Sequence, residues 1–235
     1  VRVRRVVTTR AGGRSRPPYE SFNLGDHVGD DPDAVAGNRK RLATELGLPT
    51  DHVIWMEQVH GRTATVVDGP RTEPVEVTDA VIATSPGLAV AVLVADCVPI
   101  LLADADAGVV AAVHAGRVGA RVGVVPAALA AMQGAGARID RTEVLIGPAV
   151  CGECYEVPAA MRDDVAAHLP GSATRSRKGT PALDLRAGIW QQLADTGVAR
   201  IGLDPRCTFE DRTLFSHRRD GTTGRIAAIT WLAPE

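Results

Sequence analysis

The chain has 235 residues, 45% of them hydrophobic, with 28 acidic against 26 basic side chains and a net charge of −2; this is length for one sizeable core and gives no electrostatic case for nucleic acid or an anionic membrane as partner. No apolar run reaches the roughly 20 residues that cross a bilayer, and the opening Val-Arg-Val-Arg-Arg lacks the apolar stretch of a signal segment. One domain over 1–235 is expected, cytoplasmic, monomer or homodimer, acting on a small neutral or locally anionic substrate; four cysteines are too few for a disulfide scaffold and stay available to metal or chemistry.

In chain order, residues 1–9 read as a short strand and the Gly/Arg/Ser/Pro-rich 10–21 as a surface loop. Asp31-Pro32 supplies an N-cap and a first-turn proline, Val35, Leu42 and Leu46 fall roughly in helical register, and Gly47 is a stop, so 32–46 is predicted helical. A strand over 52–60 ends at His60-Gly61. The runs 77–84, 88–95, 98–103 and 108–114, rich in Val, Ala and Leu and bounded by turn residues, read as successive buried strands. A helix over 119–133 follows, with Pro126 requiring a late start or a kink. Then come strand 142–147, helix 158–168, a polar loop 171–180, helix 182–196, a short strand near 199–203 and a last strand 225–232, with no internal repeat.

Three side chains stand at strand ends beside glycine or a carboxylate: His60 in Gln-Val-His-Gly, Cys97 in Ala-Asp-Cys-Val-Pro, and His114 in Val-His-Ala-Gly. A thiolate and two neutral imidazoles make a borderline-soft donor set suited to Zn²⁺, with Cu²⁺ a second choice and a position left for water or substrate. Asp79 and Asp96 are candidates for the acceptors that hold an imidazole N–H and fix its tautomer. The plain alternative is a buried cysteine acting as a small hydrophobe and histidines near strand ends by chance, since separations of 37 and 17 residues match no compact zinc motif. Cys97, His114 and an aspartate also read as a thiol nucleophile with its base. Cys151-x-x-Cys154 is a competing site, able with Cys97 and Cys207 to form a four-thiolate structural zinc, or more weakly to act in redox chemistry. Phe215-Ser216-His217-Arg218-Arg219-Asp220 offers arginine forks to a phosphate or ribose oxygen, against the commoner reading of a solvated charged turn; Arg39 and Arg117 carry the same two readings.

Taken together, these segments resemble the YfiH-like family, also called the polyphenol oxidase or laccase-domain family of purine nucleoside phosphorylases. The matching segments are Asn23-Leu24-Gly25 with His27-Val28-Gly29-Asp30, Asn38-Arg39, Gln58-Val59-His60-Gly61, Thr78-Asp79-Ala80, Ala95-Asp96-Cys97-Val98-Pro99, His114-Ala115-Gly116, Ile146-Gly147-Pro148, Tyr155-Glu156-Val157 and Ser216-His217-Arg218-Arg219-Asp220, in order along nearly the whole chain. The resemblance implies an α+β fold, a single-domain layered sandwich with mixed, strand-rich core sheets, in which His60, Cys97 and His114 match the family's metal-binding and catalytic set. It further implies that Asn23, Arg39, Gln58, Arg117, Arg218 and Arg219 serve the purine nucleoside and inorganic phosphate, and that the chain cleaves adenosine, inosine, guanosine and methylthioadenosine with phosphate and deaminates adenosine. Two departures stand out: the family's His-Ala-Gly-Trp-Arg-Gly is here His114-Ala115-Gly116-Arg117-Val118-Gly119, and the tyrosine of Tyr-Arg-Arg is His217. Six histidines without a single His-x-His argue against a multicopper oxidase centre. A thiol hydrolase editing peptidoglycan precursors and a non-enzymatic, zinc-stabilised partner protein are the alternative functions.

Overall fold

Residues 2–233 are described by a computed structural model, which leaves Val1 of the first predicted strand outside. Twelve strands are formed by β1 (Arg2–Val7), β2 (Val53–Ile54), β3 (Ala64–Val67), β4 (Ala80–Ala83), β5 (Ala89–Val94), β6 (Val98–Asp104), β7 (Val109–Ala115), β8 (Glu143–Ile146), β9 (Ala173–Arg175), β10 (Pro181–Leu183), β11 (Arg200–Leu203) and β12 (Ile226–Ala233). The helices are α1 (Pro32–Leu46), α2 (Arg117–Val122), α3 (Val124–Gly134), α4 (Ala159–His168), α5 (Leu185–Thr196) and the single turn α6 (His217–Asp220). Four strands pair in the order β1-β12-β5-β2, six in the order β11-β8-β6-β7-β4-β3, and β9 with β10 makes a separate ribbon.

Strand alternation turns these sheets into four layers. Odd and even positions of a strand face opposite ways. On β5 and β12, Val90, Val92, Val94, Ala228 and Leu232 pack against Val81, Leu101, Ala103, Val110 and Ala112 of the larger sheet. The opposite face of the larger sheet, with Ile82, Ile100, Leu102, Ala111 and Val113, is covered by α3, α4 and α5 through Leu129, Met132, Val165 and Ile189. The opposite face of the smaller sheet, with Ala91, Leu93, Ile229 and Trp231, receives Phe22, Leu42 and Trp55. Strands β4 to β7 are thus buried on both faces at every position, which is why they read as unbroken apolar runs rather than alternating ones. The α+β layered sandwich expected from the resemblance is observed.

Helix α1 has the predicted bounds: the Asp31 side chain accepts from the Asp33 N–H and Gly47 ends the helix at φ 72°. Elsewhere local physics moved the boundaries. The predicted strand 52–60 shrinks to two residues because the Gln58 side chain, not a continuing backbone ladder, exchanges hydrogen bonds with the Leu93 N–H and carbonyl. The predicted helix 119–133 is two helices hinged at Gly123 (φ 89°), and Pro126 sits in the first turn of the second, where a missing N–H leaves nothing unpaired. Strand β3 falls in the stretch 61–76, for which no element is predicted, and the β9–β10 ribbon in segments read as loop and helix. Helix α5 begins three residues after the predicted start at 182, capped by Asp184, whose side chain accepts from the Ala187 N–H.

Candidate metal centre and substrate cavity

Register assembles the site. Strands β6 and β7 pair antiparallel with Val98 opposite Ala115 and Pro99 opposite His114, so Cys97, one residue before β6, faces Gly116, one residue beyond β7. Strand β4 pairs with β7 with Ala80 opposite Val113, which sets Asp79 beside His114; the His114 N–H donates to the Asp79 carbonyl at 2.7 Å. His60 arrives from the loop before β3, anchored by Gln58 on β5 and held at φ 60°, a left-handed conformation unusual for a side-chain-bearing residue.

One donor atom each from His60, Cys97 and His114 lies within 4.8 Å of the others. Cys97 Sγ is 3.8 Å from His60 Nε2, close to the roughly 3.6 Å that ordinary zinc–sulfur and zinc–nitrogen bonds impose between two tetrahedral ligands. The two imidazole centroids are 4.7 Å apart and edge-on. Gly116 is what lets them approach: a Cβ there would stand 2.7 Å from His60 Cδ2 and 3.0 Å from Cys97 Sγ. The donor set therefore fits a borderline-soft divalent ion.

Asp79 organises this centre from beneath. Fully buried, its carboxylate accepts from the His114 Nδ1–H at 2.8 Å and from the backbone N–H groups of Gly61 (2.6 Å), His60 (3.0 Å) and Val59 (3.3 Å). Burial alone would raise this carboxyl; the donors from His114, Gly61 and Val59 outweigh it and hold Asp79 below the usual carboxylate range. With Nδ1 so occupied, His114 turns Nε2 toward Cys97, the tautomer that a metal ligand or a base requires. Burial also pushes the Cys97 thiol up, yet the His114 charge and hydrogen bonds from both imidazoles bring it down to about 6. In return the Cys97 thiolate and Asp79 outweigh the burial of His114 and raise it to about 9. Metal-depleted protein should accordingly alkylate at Cys97 with a half-maximal rate near pH 6, because the thiolate fraction rises as pH climbs through that value; a midpoint near 9 would remove the thiolate–imidazolium pair.

Cys97 opens into a cavity of about 170 Å³ lined by Asp96, Arg117, Val150, Tyr155, His217 and Arg218. The Arg218 guanidinium lies 5.0 Å over the Tyr155 ring and also borders a neighbouring cavity of about 340 Å³. Half-buried Arg225 adds positive charge near Cys97 and Asp96. A larger cleft, about 660 Å³ beside Arg39, Trp55 and Arg71, contains none of the His/Cys donors; donor chemistry, not volume, singles out the smaller cavity.

Several residues expected at the substrate are placed otherwise. Asn23 is fully buried, its amide closing a loop against Gly25, Asp30 and Arg225. Arg39 pairs with Asp26 at 3.2 Å and stacks 4.3 Å over Trp55, away from the lining of the Cys97 cavity. Gln58 fastens the His60 loop. Arg219 is turned inward, donating to the carbonyls of Thr208, Phe209, Asp211 and Leu214. Asp96 holds no imidazole: its oxygens accept from the Thr208 and Ser216 hydroxyls and the Arg218 N–H, so it fixes the arginine turn instead. Arg117 and Arg218 do reach the cavity. Two residues at the pocket were missed as site candidates: Tyr155, although Tyr155-Glu156-Val157 is among the segments that carry the resemblance, and Arg225, which nothing in Gly-Arg-Ile distinguishes from an ordinary loop residue. The four-thiolate grouping is also corrected: Cys97 belongs with the histidines, and Glu210 joins Cys151, Cys154 and Cys207 instead.

A mixed four-layer sandwich carrying a His-Cys-His pocket at one end of its central hairpin defines the class. The chain belongs to the family described as multi-copper polyphenol oxidoreductase laccase, whose model matches residues 4–233. It is 59% identical over 232 residues, 99% of this chain and 93% of the relative, to a Mycobacterium tuberculosis protein named purine nucleoside phosphorylase, and 58% identical to one of that name from Corynebacterium glutamicum, covering 99% and 96%. Among solved structures, YlmD from Geobacillus stearothermophilus superposes with a TM-score of 0.92 at 34% identity, over 99% of this chain and 92% of that one.

Proposed function

We propose that the chain is a metal-dependent purine nucleoside phosphorylase, with adenosine, inosine, guanosine and methylthioadenosine as substrates and adenosine deamination as a side activity. The observation that carries this is the convergence of His60, Cys97 and His114 at a cavity whose wall holds Arg117 and Arg218. The names of its relatives point the same way. His60, Cys97 and His114 would hold Zn²⁺, which supplies Lewis acidity beside the substrate when bound.

The chain's own residues do the positioning. In phosphorolysis a phosphate oxygen bonds to C1′ while the C1′–N9 bond breaks; its electron pair goes to the purine, which takes up a proton, leaving ribose 1-phosphate. Positive charge develops on the ribose between two anionic partners. Arg117 and Arg218 suit the phosphate, since a guanidinium fork matches oxyanion geometry, and fixed charges in a small cavity act without reorganisation. Tyr155, under the Arg218 guanidinium, offers a flat apolar surface for base or ribose. Asp79 keeps His114 in one tautomer.

Product analysis with adenosine tests the reading: ribose 1-phosphate forms only when phosphate is present, and inosine reports the deamination. Free ribose at equal rate with and without phosphate would make the enzyme a hydrolase. Arg218→Ala is expected to raise the KM for phosphate about tenfold, about 1.4 kcal/mol, with little loss of stability, whereas Arg219→Ala lowers the Tm because four carbonyls lose their donor. Equal phosphate KM values for Arg218→Ala and the parent would remove Arg218 from the site.

Histidine placement also bears on the oxidase description of the family. Among the described residues only two groups of three or more metal-ligating side chains come together, and His27, His52, His168 and His217 belong to neither. This placement supports the reading that the chain does not build a trinuclear copper cluster on paired histidines.

A further inference from the structure

The second group is Cys151, Cys154, Cys207 and Glu210, each contributing one ligand atom within 4.8 Å of the rest. Its construction is specific. Cys151-Gly152-Glu153-Cys154 and Cys207-Thr208-Phe209-Glu210 are two turns, each closed by an i to i+3 backbone bond: Cys154 N–H to the Cys151 carbonyl at 3.0 Å, and Glu210 N–H to the Cys207 carbonyl at 3.1 Å. Each turn therefore presents its first and fourth side chains on one side. The turns are laid together by a bridge between Ala149 and Cys207 and by the Cys151 N–H, which points at Cys207 Sγ from 3.3 Å. Paired four-residue turns, distant in sequence and offering two donors each, are the way small structural zinc sites are built.

We infer that Cys151, Cys154, Cys207 and Glu210 form a second metal centre, a Zn²⁺ site of three thiolates and one carboxylate, separate from the His60, Cys97 and His114 pocket. A donor spread of no more than 4.8 Å is what a small adjustment closes onto tetrahedral zinc, which holds two sulfurs about 3.8 Å apart. All four cysteines of the chain are free thiols, and an odd number of sulfurs in one cluster leaves a disulfide with an orphan, whereas a cation uses all three. Glu210 is exposed and also accepts from Arg177 at 2.7 Å, while Arg177 holds Glu153 at 2.8 Å; the arginine anchors the carboxylate at the rim and competes with the ion for it. The centre ties the segment after β8 to the segment after β11. It also sits behind the substrate cavity, because Val150 and Tyr155, adjoining the ligand turn on either side, line that cavity. Its role is therefore to hold the wall that carries Tyr155, with each thiol giving up its proton on binding.

Metal analysis of the full chain, purified under reductant and equilibrated with zinc, tests this independently of turnover. The expected result is two equivalents per chain, falling to one in the Cys151→Ser, Cys154→Ser double variant and to one, of the other centre, in His114→Ala. Cobalt in place of zinc in His114→Ala should retain the intense sulfur-to-metal charge-transfer absorption of a multi-thiolate site. Should the double variant not fold, the parent chain suffices: zinc should protect Cys151, Cys154 and Cys207 together from alkylation, read by peptide mass. One equivalent in the parent with an unchanged content in the double variant, or equal alkylation of these three thiols with and without zinc, overturns the second centre.

Discussion

Replacing His60 by alanine, Cys97 by serine or His114 by alanine should each lower kcat/KM for phosphorolysis by about 1000-fold, roughly 4 kcal/mol of transition-state stabilisation, with loss of one equivalent of metal. The equality of the three effects is the informative part. Three ligands of one ion fail alike, because each removal opens the same site. A thiol nucleophile activated by the Asp79–His114 pair would depend most on Cys97 and His114 and lose far less with His60, which touches Cys97 Sγ at 3.8 Å but has no side-chain link to Asp79. Steady-state kinetics of the three variants beside metal analysis distinguishes the readings, and a His60→Ala enzyme with near-parental turnover would discard the shared-ion mechanism. Reloading His114→Ala with excess zinc should restore little, since the ligand itself is missing.

Asp79→Asn is expected to have the largest effect on stability, a loss of about 3–5 kcal/mol, together with a 10- to 100-fold loss of activity in whatever folds. The carboxylate is surrounded by four N–H donors; an amide in its place has one accepting oxygen and must aim its own NH₂ at the remaining donors. The pH dependence follows with its sign. Because the folded Asp79 carboxyl lies below its ordinary value, its contribution is complete above the unfolded-state range, and is lost as pH falls through the depressed folded value. The parent should therefore lose stability on acidification more steeply than Asp79→Asn, measured by urea unfolding at a series of pH values. Parallel curves would mean that Asp79 contributes nothing through its charge.

The layers and the His-Cys-His pocket were legible in the sequence to different depths. Strands β4 to β7 announced themselves because burial on both faces leaves no polar interruption, and α1 because Asp31, Pro32 and Gly47 each satisfy a terminal requirement. The His-Cys-His set was visible only as three residues at strand ends. Its geometry depends on cross-strand register between β4, β6 and β7, a long-range property that local spacing does not carry. Asp79 and Asp96 look equivalent as neighbours of strand ends, yet one holds an imidazole and the other an arginine turn; only the pairing partners opposite them decide. The same holds for Cys207, whose relation to Cys151-x-x-Cys154 arises from the bridge at Ala149 and the Cys151 N–H beside it. Arg219 looked like an anion ligand because a bare sequence cannot tell a guanidinium facing solvent from one capping four carbonyls.

The β6–β7 hairpin also constrains how this chain tolerates changes of length. Its ladder places Cys97 and Gly116 face to face with His114 two pairs inward, so adding or deleting one residue inside either strand would invert which way every subsequent side chain points. His114 would then leave Asp79 while the apolar positions behind it turned away from their sheet. The turn at Ala105–Gly108 lies at the far end of the hairpin, outside the ladder, and an extra residue there leaves the donors in phase. Insertions near the chemistry should thus be absorbed at the hairpin tip, some seven pairs from the pocket, and nowhere between.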